Sequence, residues 1–328
     1  MRLSTLLTAL ALGVEGLAAA VSSLATYINW RTFRGHGVNL GGWLEQESSI
    51  DTTWFARYAD NATDEWGLCE NLGPEWPAVM EDRYSTFIRE ADIDELAAAK
   101  VSIPRIPTTY AAWIDLPGSR LYSGHQQAHL RRIANYAIEK YNMHIIVDIH
   151  SLPGGINGLG IGQAVGHWGW WYNQPALEWS LQVVDASSGH PQAYTIEPVN
   201  EAGQNIVFDL HYYYYPYTNS TSVNLLRIIC ADARESAGDG KFPTFVDEWA
   251  IEAIEAGGGN SLALRKKNVQ AGISAFAQFT RGSSYWTAKY RNNASVAGQG
   301  LKQDYWNYLG FVENGYFDGF TEEKDYCS

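Results

Sequence analysis

Two glutamates in this sequence each follow a short apolar, β-prone run. Glu201 closes the run that begins at Thr195, and Glu248 lies near the end of the run Thr244–Trp249. A carboxylate just past a strand end is where enzymes of barrel architecture keep their chemistry. Two such carboxylates, brought face to face, are the minimum set for breaking a glycosidic bond. The sequence therefore predicts a glycosidase site if the fold brings Glu201 and Glu248 together.

The elements that must position these glutamates alternate between β-like and helical patterns. Helical periodicity occurs at Ile93–Lys100, at Leu130–Ile138 and over roughly 261–280. Repeated alternation favours a parallel sheet closed into a barrel, so we predict the α/β class and a (β/α)8 TIM barrel. The predicted strands are Gly37–Leu40, Val101–Ile106, Ile145–Ile149, Tyr194–Val199, Ile206–His211, Phe242–Val246 and Ser284–Thr287.

The alternation breaks after Glu201. Only nine residues separate it from His211, and most of them belong to the next strand. A βα unit takes roughly thirty residues, and parallel strands need a crossover of about a dozen. We therefore expect an incomplete barrel that lacks the strand 5 region. Because neighbours on a strand point to opposite faces, we also expect that Asp247 and Glu248 do not both face one site.

Composition limits the partners of the protein. The 328 residues carry a formal net charge of −13, and the pI is about 5.0. Nucleic acids and anionic membranes need a basic face, so the charge argues against both and suits a neutral substrate. The length allows a single barrel domain over 21–328. We expect a monomer that needs no cofactor.

The first twenty residues have the pattern of a secretory signal peptide. Arg2 precedes the apolar stretch Leu3–Val14, and small residues follow at Ala18–Ala20. The C-terminus carries no hydrophobic tail for a lipid anchor. We expect a secreted protein in the extracellular space or cell wall. Three glycosylation sequons agree with that route, at Asn61, Asn219 and Asn293.

Cysteines and aromatic residues add two expectations. In an oxidising compartment one disulfide is expected from three cysteines. A Cys230–Cys327 bond would tie the chain end to the body, and the state of Cys69 stays open. The cysteine spacing shows no metal signature, so we expect no metal site. The aromatic cluster at 168–172 suggests a platform on which sugars stack.

Several segments, in order along the chain, resemble fungal exo-β-1,3-glucanases of glycoside hydrolase family 5. Together they extend over roughly residues 33 to 310. The matching segments are Arg34–Glu47, Pro104–Pro107, Val147–Gly158, Val199–Glu201, Asp209–Tyr212, Asp247–Trp249 and Tyr285–Thr287.

The resemblance implies a (β/α)8 barrel and a retaining mechanism, with Glu201 as acid/base and Glu248 as nucleophile. It also implies a β-glucan substrate. Roughly fifty residues of the family pattern are missing after the acid/base strand, judged against two βα units, and Ala202 stands where the family usually has proline. By position, the residues implied to line the glucose subsite are Glu47, Arg105, His150, Asn157, Asn200, His211, Tyr212 and Trp286.

The sequence leaves three alternative functions. The leading one is a secreted glycosidase that releases glucose from β-1,3-glucans during cell-wall glucan metabolism. The second is a non-catalytic glucan-binding pseudoenzyme, or a truncated gene product of such an enzyme, in which the deletion has spoiled the barrel. The third is a structural wall protein, for which no anchor, repeat or linker is visible. Activity on laminarin separates the first two.

Overall fold

A computed structural model describes residues 28–161, 163–188, 194–197, 207–216, 219–254, 260–296 and 299–328. Within these residues the chain alternates between strands and helices. The strands are β1 (Gly35–Asn39), β2 (Ile103–Thr108), β3 (Ile145–Ile149), β4 (Tyr194–Glu197), β5 (Phe208–Tyr214), β6 (Thr244–Ala253) and β7 (Gly282–Tyr285). The helices are α1 (Thr52–Tyr58), α2 (Glu65–Leu72), α3 (Trp76–Thr86), α4 (Glu90–Ala98), α5 (Gln126–Tyr141), α6 (Gln174–Ser188), α7 (Leu225–Ser236), α8 (Leu262–Phe279), α9 (Gln303–Trp306) and α10 (Tyr308–Glu313).

The strands form one parallel sheet in the order β4-β3-β2-β1-β7-β6-β5. This is the order of a (β/α)8 barrel, except that β4 and β5 end the sheet and do not pair in the part of the chain that is described. The predicted α/β class and incomplete barrel are confirmed, and each predicted strand overlaps an observed one. Parallel pairing brings the carboxyl ends of all strands to one edge, where barrel enzymes build their sites.

Helix α8 shows how the outer layer holds the strands in place. It begins at Ser261, whose side chain caps the backbone N–H of Leu264. One face buries apolar side chains such as Val269 and Phe276 against the sheet. Gly272 lies on that face, and a Cβ atom there would come within 2.2 Å of the Trp249 ring. The absent side chain therefore lets the helix approach β6 closely.

A β-bulge interrupts β6 where the sequence places its carboxylates. Val246 pairs with Ser283 and Trp249 pairs with Tyr285, so three steps on β6 match two steps on β7. The register between β6 and β5 shifts at the same place. A bulge re-aims the side chains that follow it, and here it changes the strict alternation of faces through residues 247 and 248.

Two expectations about the chain's covalent and surface features can be compared with the structure. The structure contains a Cys230–Cys327 disulfide with an S–S distance of 2.00 Å, and Cys69 is a buried free thiol. The sequon asparagines Asn61 and Asn293 are exposed. Among the described helices, none is both long and apolar enough to cross a bilayer. The predicted signal peptide lies outside the described residues.

Candidate active site

Glu248 lies in the bulge of β6 and is buried. Its Oε1 accepts a hydrogen bond from Arg105 Nη1 at 2.7 Å. Its Oε2 accepts one from the Tyr213 hydroxyl at 2.5 Å and lies 3.4 Å from His211 Nδ1. Burial acts to raise the pKa of Glu248, but His211 and Arg105 outweigh it and hold the pKa below its ordinary value. Glu248 is therefore an ionised carboxylate, as a nucleophile must be.

Arg105, on β2, organises the floor of the pocket. Its Nη1 also donates to Asn39 Oδ1 at 2.8 Å, and its Nη2 lies 3.0 Å from Asp148 Oδ2. Its Nε lies 3.4 Å from Asp247 Oδ2. A guanidinium suits this task because its donors form a rigid planar fork. One buried cation thus holds three carboxylates from two strands.

The contacts of Arg105 also show that the sheet is curved. Strands β2 and β6 are three steps apart in the strand order, which would be about 14 Å in a flat sheet. The 2.7 Å contact between Arg105 and Glu248 shows that the sheet curls around the guanidinium.

Asp247 and Glu248 both contact Arg105, so the expectation that they face different sites is wrong. The bulge is the physical reason.

His150 and Trp286 lie together beside this floor. His150 Nδ1 is 2.6 Å from Asp148 Oδ2, and its ring lies parallel to that of Trp286 with centroids 5.6 Å apart. Its Nε2 lies 3.9 Å from Glu47 Oε1. Burial opposes the charged form of His150, but Asp148 and then Glu248 raise its pKa to about 10. Burial is the main cause that raises the pKa of Glu47 to about 7. The negative charge of Glu248 acts in the same direction, and His150 acts against it.

His211 lies at the solvent side of Glu248, with 38% of its side chain exposed. Its Nε2 is 2.7 Å from Asp209 Oδ2. Burial lowers its pKa, but Glu248 and Asp209 together raise the pKa to about 9. The imidazole is therefore a cation at neutral pH. It can donate to Glu248 or to a hydroxyl group that enters the pocket.

Two predicted residues are not brought to this cluster. Tyr212 stacks on Phe276 with centroids 6.1 Å apart, and its hydroxyl shares a 2.8 Å hydrogen bond with Ser236 Oγ. The prediction of a pocket position for Tyr212 is wrong, because residues one apart on β5 face opposite sides. Asn157 is exposed in the loop after β3, where its Oδ1 accepts from the Leu159 N–H at 3.0 Å. The structure gives it no contact with the cluster.

Glu201 and Asn200 lie outside the described residues. The separation between the two predicted catalytic carboxyl groups therefore stays a prediction. Six predicted site residues do meet around one pocket, each within reach of at least one other member. They are Glu47, Arg105, His150, His211, Glu248 and Trp286.

Sequence reasoning missed Tyr213 and the aromatic group to which it belongs. The Tyr213 ring stacks on Trp306 with centroids 5.5 Å apart, and Tyr290 stacks on Trp306 at the same distance. Tyr215 joins the edge of this group and is 44% exposed. We call these four residues the aromatic wall. It runs from Glu248 to the surface. Tyr290 and Trp306 are buried, so the exposed Tyr215 at its outer end is the ring that a sugar can reach.

The predicted sugar platform at 168–172 lies on the loop that follows β3. Trp168, Trp171 and Tyr172 are exposed there, and the Trp171 indole N–H donates to the Ile156 carbonyl at 2.6 Å. Exposed large aromatic side chains are typical of binding surfaces. Sugar stacking by this cluster stays a prediction.

Fold and site together define a class of protein, a glycoside hydrolase built on an α/β barrel. The ionised carboxylate lies at the catalytic edge of the sheet, and the groups around it suit hydroxyl-rich ligands.

Known proteins similar to this chain are glycosidases. Rutinosidase from Aspergillus niger is 48% identical, with a TM-score of 0.85 over 89% of this chain and 100% of that structure. Probable glucan 1,3-beta-glucosidase A of Emericella nidulans is 37% identical over 157 residues, which are 48% of this chain and 37% of that protein. Glucan 1,3-beta-glucosidase 1 of Schizosaccharomyces pombe is 35% identical over 141 residues, 42% and 34% of the two chains. No family model matches the sequence.

The chain belongs to glycoside hydrolase family 5, with the rutinosidase and the fungal glucan 1,3-beta-glucosidases. The matched part spans little more than a third of the length of those two curated glucosidases.

Proposed function

We propose that the protein is a retaining β-glucosidase with Glu248 as its nucleophile and Glu201 as its acid/base. One observation carries the proposal: Glu248 is buried yet ionised, with Arg105, Tyr213 and His211 aimed at its two oxygens. Such a carboxylate is held ready to attack an electrophilic carbon without first losing a proton.

The reaction follows a double displacement. A Glu248 oxygen attacks the anomeric carbon while Glu201 gives its proton to the departing glycosidic oxygen, so that the aglycone leaves as an alcohol. The glycosyl group is then an ester of Glu248. Glu201 next takes a proton from water, the water oxygen attacks the same carbon, and the Glu248 ester bond breaks. Retention calls for carboxyl groups about 5–5.5 Å apart.

The family relatives suggest the substrate class. Their names describe glucan 1,3-beta-glucosidases, which supports release of glucose from β-1,3-glucan chains. Glu47, His150 and Trp286 form one wall where a glucose ring would lie, with hydrogen-bonding groups beside an indole face. A secreted enzyme of this type would act on cell-wall glucan.

A second candidate substrate is a rutinoside, in which the glucose at the reaction centre carries another sugar. The match with the rutinosidase covers 89% of this chain, whereas the alignments with those two glucosidases cover less than half of it. At the outer end of the aromatic wall, the exposed Tyr215 gives that additional sugar a ring to pack against. The same two glutamates would cleave either substrate.

The test assays purified protein on laminari-oligosaccharides, on rutin and on p-nitrophenyl β-glucoside. We expect sugar release with retained anomeric configuration, read by proton NMR in the first minutes of reaction. Glu248→Gln should lower kcat by at least about 10⁴-fold while ligand binding stays. Glu70→Gln, at an exposed position on α2, is the matched control and should keep full activity.

The outcomes separate the candidates. Faster turnover of laminari-oligosaccharides supports the glucanase, and faster turnover of rutin supports the rutinosidase. A folded sample that binds laminarin and releases no sugar from any substrate contradicts the enzyme proposal. That result would instead support the non-catalytic glucan-binding alternative.

A further inference from the structure

Glu45 is a buried carboxyl group that the proposed reaction does not use. Its side chain has no solvent exposure, and neither oxygen has a hydrogen-bond partner among the described residues. Buried polar groups in folded proteins are nearly always satisfied, and an unpaired one costs about 1–3 kcal/mol. The Glu45 carboxyl group therefore needs a partner beyond the described protein groups, such as a water molecule, a proton or a cation.

The surroundings of Glu45 contain the atoms that bind metals. One ligand atom each from Glu45, Glu47 and His150 lie within 4.8 Å of one another. Glu45 lies two residues before Glu47 at the carboxyl end of β1, and His150 directly follows β3. The three groups therefore come from two different loops at the catalytic edge of the barrel. An orphaned carboxyl group points into the space that they share.

His150 is already oriented as a metal ligand would be. Its Nδ1 contacts Asp148 Oδ2 at 2.6 Å, which leaves Nε2 directed toward Glu47. A carboxylate that holds one ring nitrogen while the other binds a metal is the usual supporting arrangement around ligating histidines. Asp148 is itself anchored by Arg105 at 3.0 Å. The ligand nitrogen thus sits on a rigid support. Zinc would replace the proton that Nε2 carries at neutral pH, and that proton is released to solvent.

We propose that Glu45, Glu47 and His150 bind a divalent transition-metal ion, with Zn²⁺ as the best fit. Zinc binds histidine nitrogen and carboxylate oxygen, and its open sites combine three protein ligands with a free fourth position, so two carboxylates and one imidazole suit it. Calcium and magnesium prefer oxygen ligands alone, so the imidazole disfavours them. The proposal departs from the expectation, drawn from the sequence, that the protein has no metal site.

The geometry requires only a small adjustment. Ligand atoms around tetrahedral zinc with bonds of ~2.0 Å lie ~3.3 Å apart. The present spread of up to 4.8 Å is about 1.5 Å wider, which rotation of the two carboxylates can close. Glu47 and His150 keep 17% and 10% of their side chains exposed. The ion therefore has an entry path from the pocket, and its fourth position faces the pocket.

The location has a consequence for the proposed glucosidase. Glu47 and His150 also form part of the wall assigned to the glucose ring, so zinc and sugar would compete for them. In the proposed function this makes zinc a competitive inhibitor, one that raises KM and leaves kcat unchanged. Binding of zinc itself does not depend on that function, so the two proposals can fail separately.

The experiment titrates ZnCl₂ into chelator-treated, tag-free protein by isothermal calorimetry. We expect one site in the wild-type protein and a loss of affinity of at least tenfold in Glu45→Gln, which removes a charged ligand and keeps its shape. Glu70→Gln makes the same change at an exposed carboxylate of α2 and should bind zinc as the wild type does. Equal affinity in all three proteins, or no binding to the wild type, overturns the proposal.

A second measurement covers the case in which Glu45→Gln does not fold. Wild-type crystals soaked in ZnCl₂ should give an anomalous difference peak between Glu45, Glu47 and His150. A peak there that is absent after a soak in MgCl₂ plus chelator supports the site. Zinc peaks only at surface histidines such as His125 would refute it, because His125 is 76% exposed and contacts Glu81 instead of this cluster.

Discussion

Two buried glutamates occupy opposite situations around one pocket. Glu248, on β6, is 5% exposed and contacts Arg105, His211 and Tyr213. Glu45, after β1, is fully buried and has no hydrogen-bond partner among the described residues. Burial pushes the pKa of both groups upward, yet the pKa of Glu248 is lowered and that of Glu45 is raised well above its ordinary value.

In this pocket, the neighbouring groups and not burial decide whether a carboxyl group is charged. Burial disfavours the charged form of both acids. At Glu248 the charges of His211 and Arg105 outweigh burial, whereas at Glu45 the lowering effect of His150 does not outweigh burial and the charge of Glu47. The Arg105 side of the pocket is therefore built for a permanent negative charge. The Glu45 side, with Glu47 nearby as a second acid, favours a proton unless a metal ion replaces it.

The largest expected effect comes from removing the cation on the Glu248 side. Arg105→Met would leave Asp148, Asp247 and Glu248 close together without their shared partner. Breaking a buried charge pair in this way costs about 3–5 kcal/mol. We expect the free energy of unfolding, measured by urea denaturation at pH 7, to fall by that amount. The Glu248 side would then resemble the Glu45 side.

An exposed arginine provides the control for that experiment. Arg120 has 58% of its side chain exposed and lies 3.9 Å from Glu70. Arg120→Met should change the free energy of unfolding by less than about 1 kcal/mol, because exposed ion pairs contribute little. If Arg105→Met and Arg120→Met lost similar stability, the contrast between the two sides of the pocket would collapse.

A smaller effect is expected when one donor to Glu248 is removed. Tyr213→Phe deletes the hydroxyl that donates to Oε2 at 2.5 Å. Hydrogen bonds to charged groups contribute about 1.5–3 kcal/mol, so kcat/KM should fall by roughly 10- to 100-fold. Because Tyr213 stabilises the ionised form, its loss raises the pKa of Glu248. The acid limb of the kcat/KM profile should therefore move to higher pH.

The neighbouring tyrosine is a matched control on the same strand. Tyr212 faces Ser236 and Phe276 instead of the pocket. Tyr212→Phe should change kcat/KM by less than about threefold and leave the acid limb in place. The reverse ranking of the two variants would mean that the wrong tyrosine has been assigned to Glu248.

This pair also shows where prediction from sequence stops. The strands could be predicted because parallel strands buried on both faces appear as short apolar runs, such as Ile145–Ile149. The side of Tyr213 follows from the strand period too, since residues two apart on a strand share a face and His211 is a predicted site residue. The same period places Tyr212 on the opposite face.

Other features could not be obtained from the sequence by any local rule. The bulge at Asp247 and Glu248 arises from how β6 pairs with strands on both sides, which a single strand does not encode. In the sequence, Glu45 lies two positions before Glu47 and looks like an ordinary charged loop residue. Only the folded chain reveals that it is fully buried and without a hydrogen-bond partner in the described residues.

A third expected effect concerns the pH dependence of stability on the Glu45 side. Burial, followed by the charge of Glu47, raises the pKa of Glu45, so the folded protein keeps a proton that the unfolded chain releases above about pH 4.3. The folded state then binds more protons than the unfolded state, and stability falls as pH rises from that value toward the raised pKa. Glu45→Gln removes this loss.

We therefore expect Glu45→Gln to gain stability over the wild type by up to about 1.4 kcal/mol per pH unit above about pH 4.3. Urea denaturation between pH 4.5 and 7, with chelator present, measures the difference. Glu70→Gln, with its exposed carboxylate, should show a flat difference over the same range. A flat difference for Glu45→Gln as well would mean that Glu45 is already ionised without metal. Groups of the chain itself would then have to stabilise the charge of Glu45.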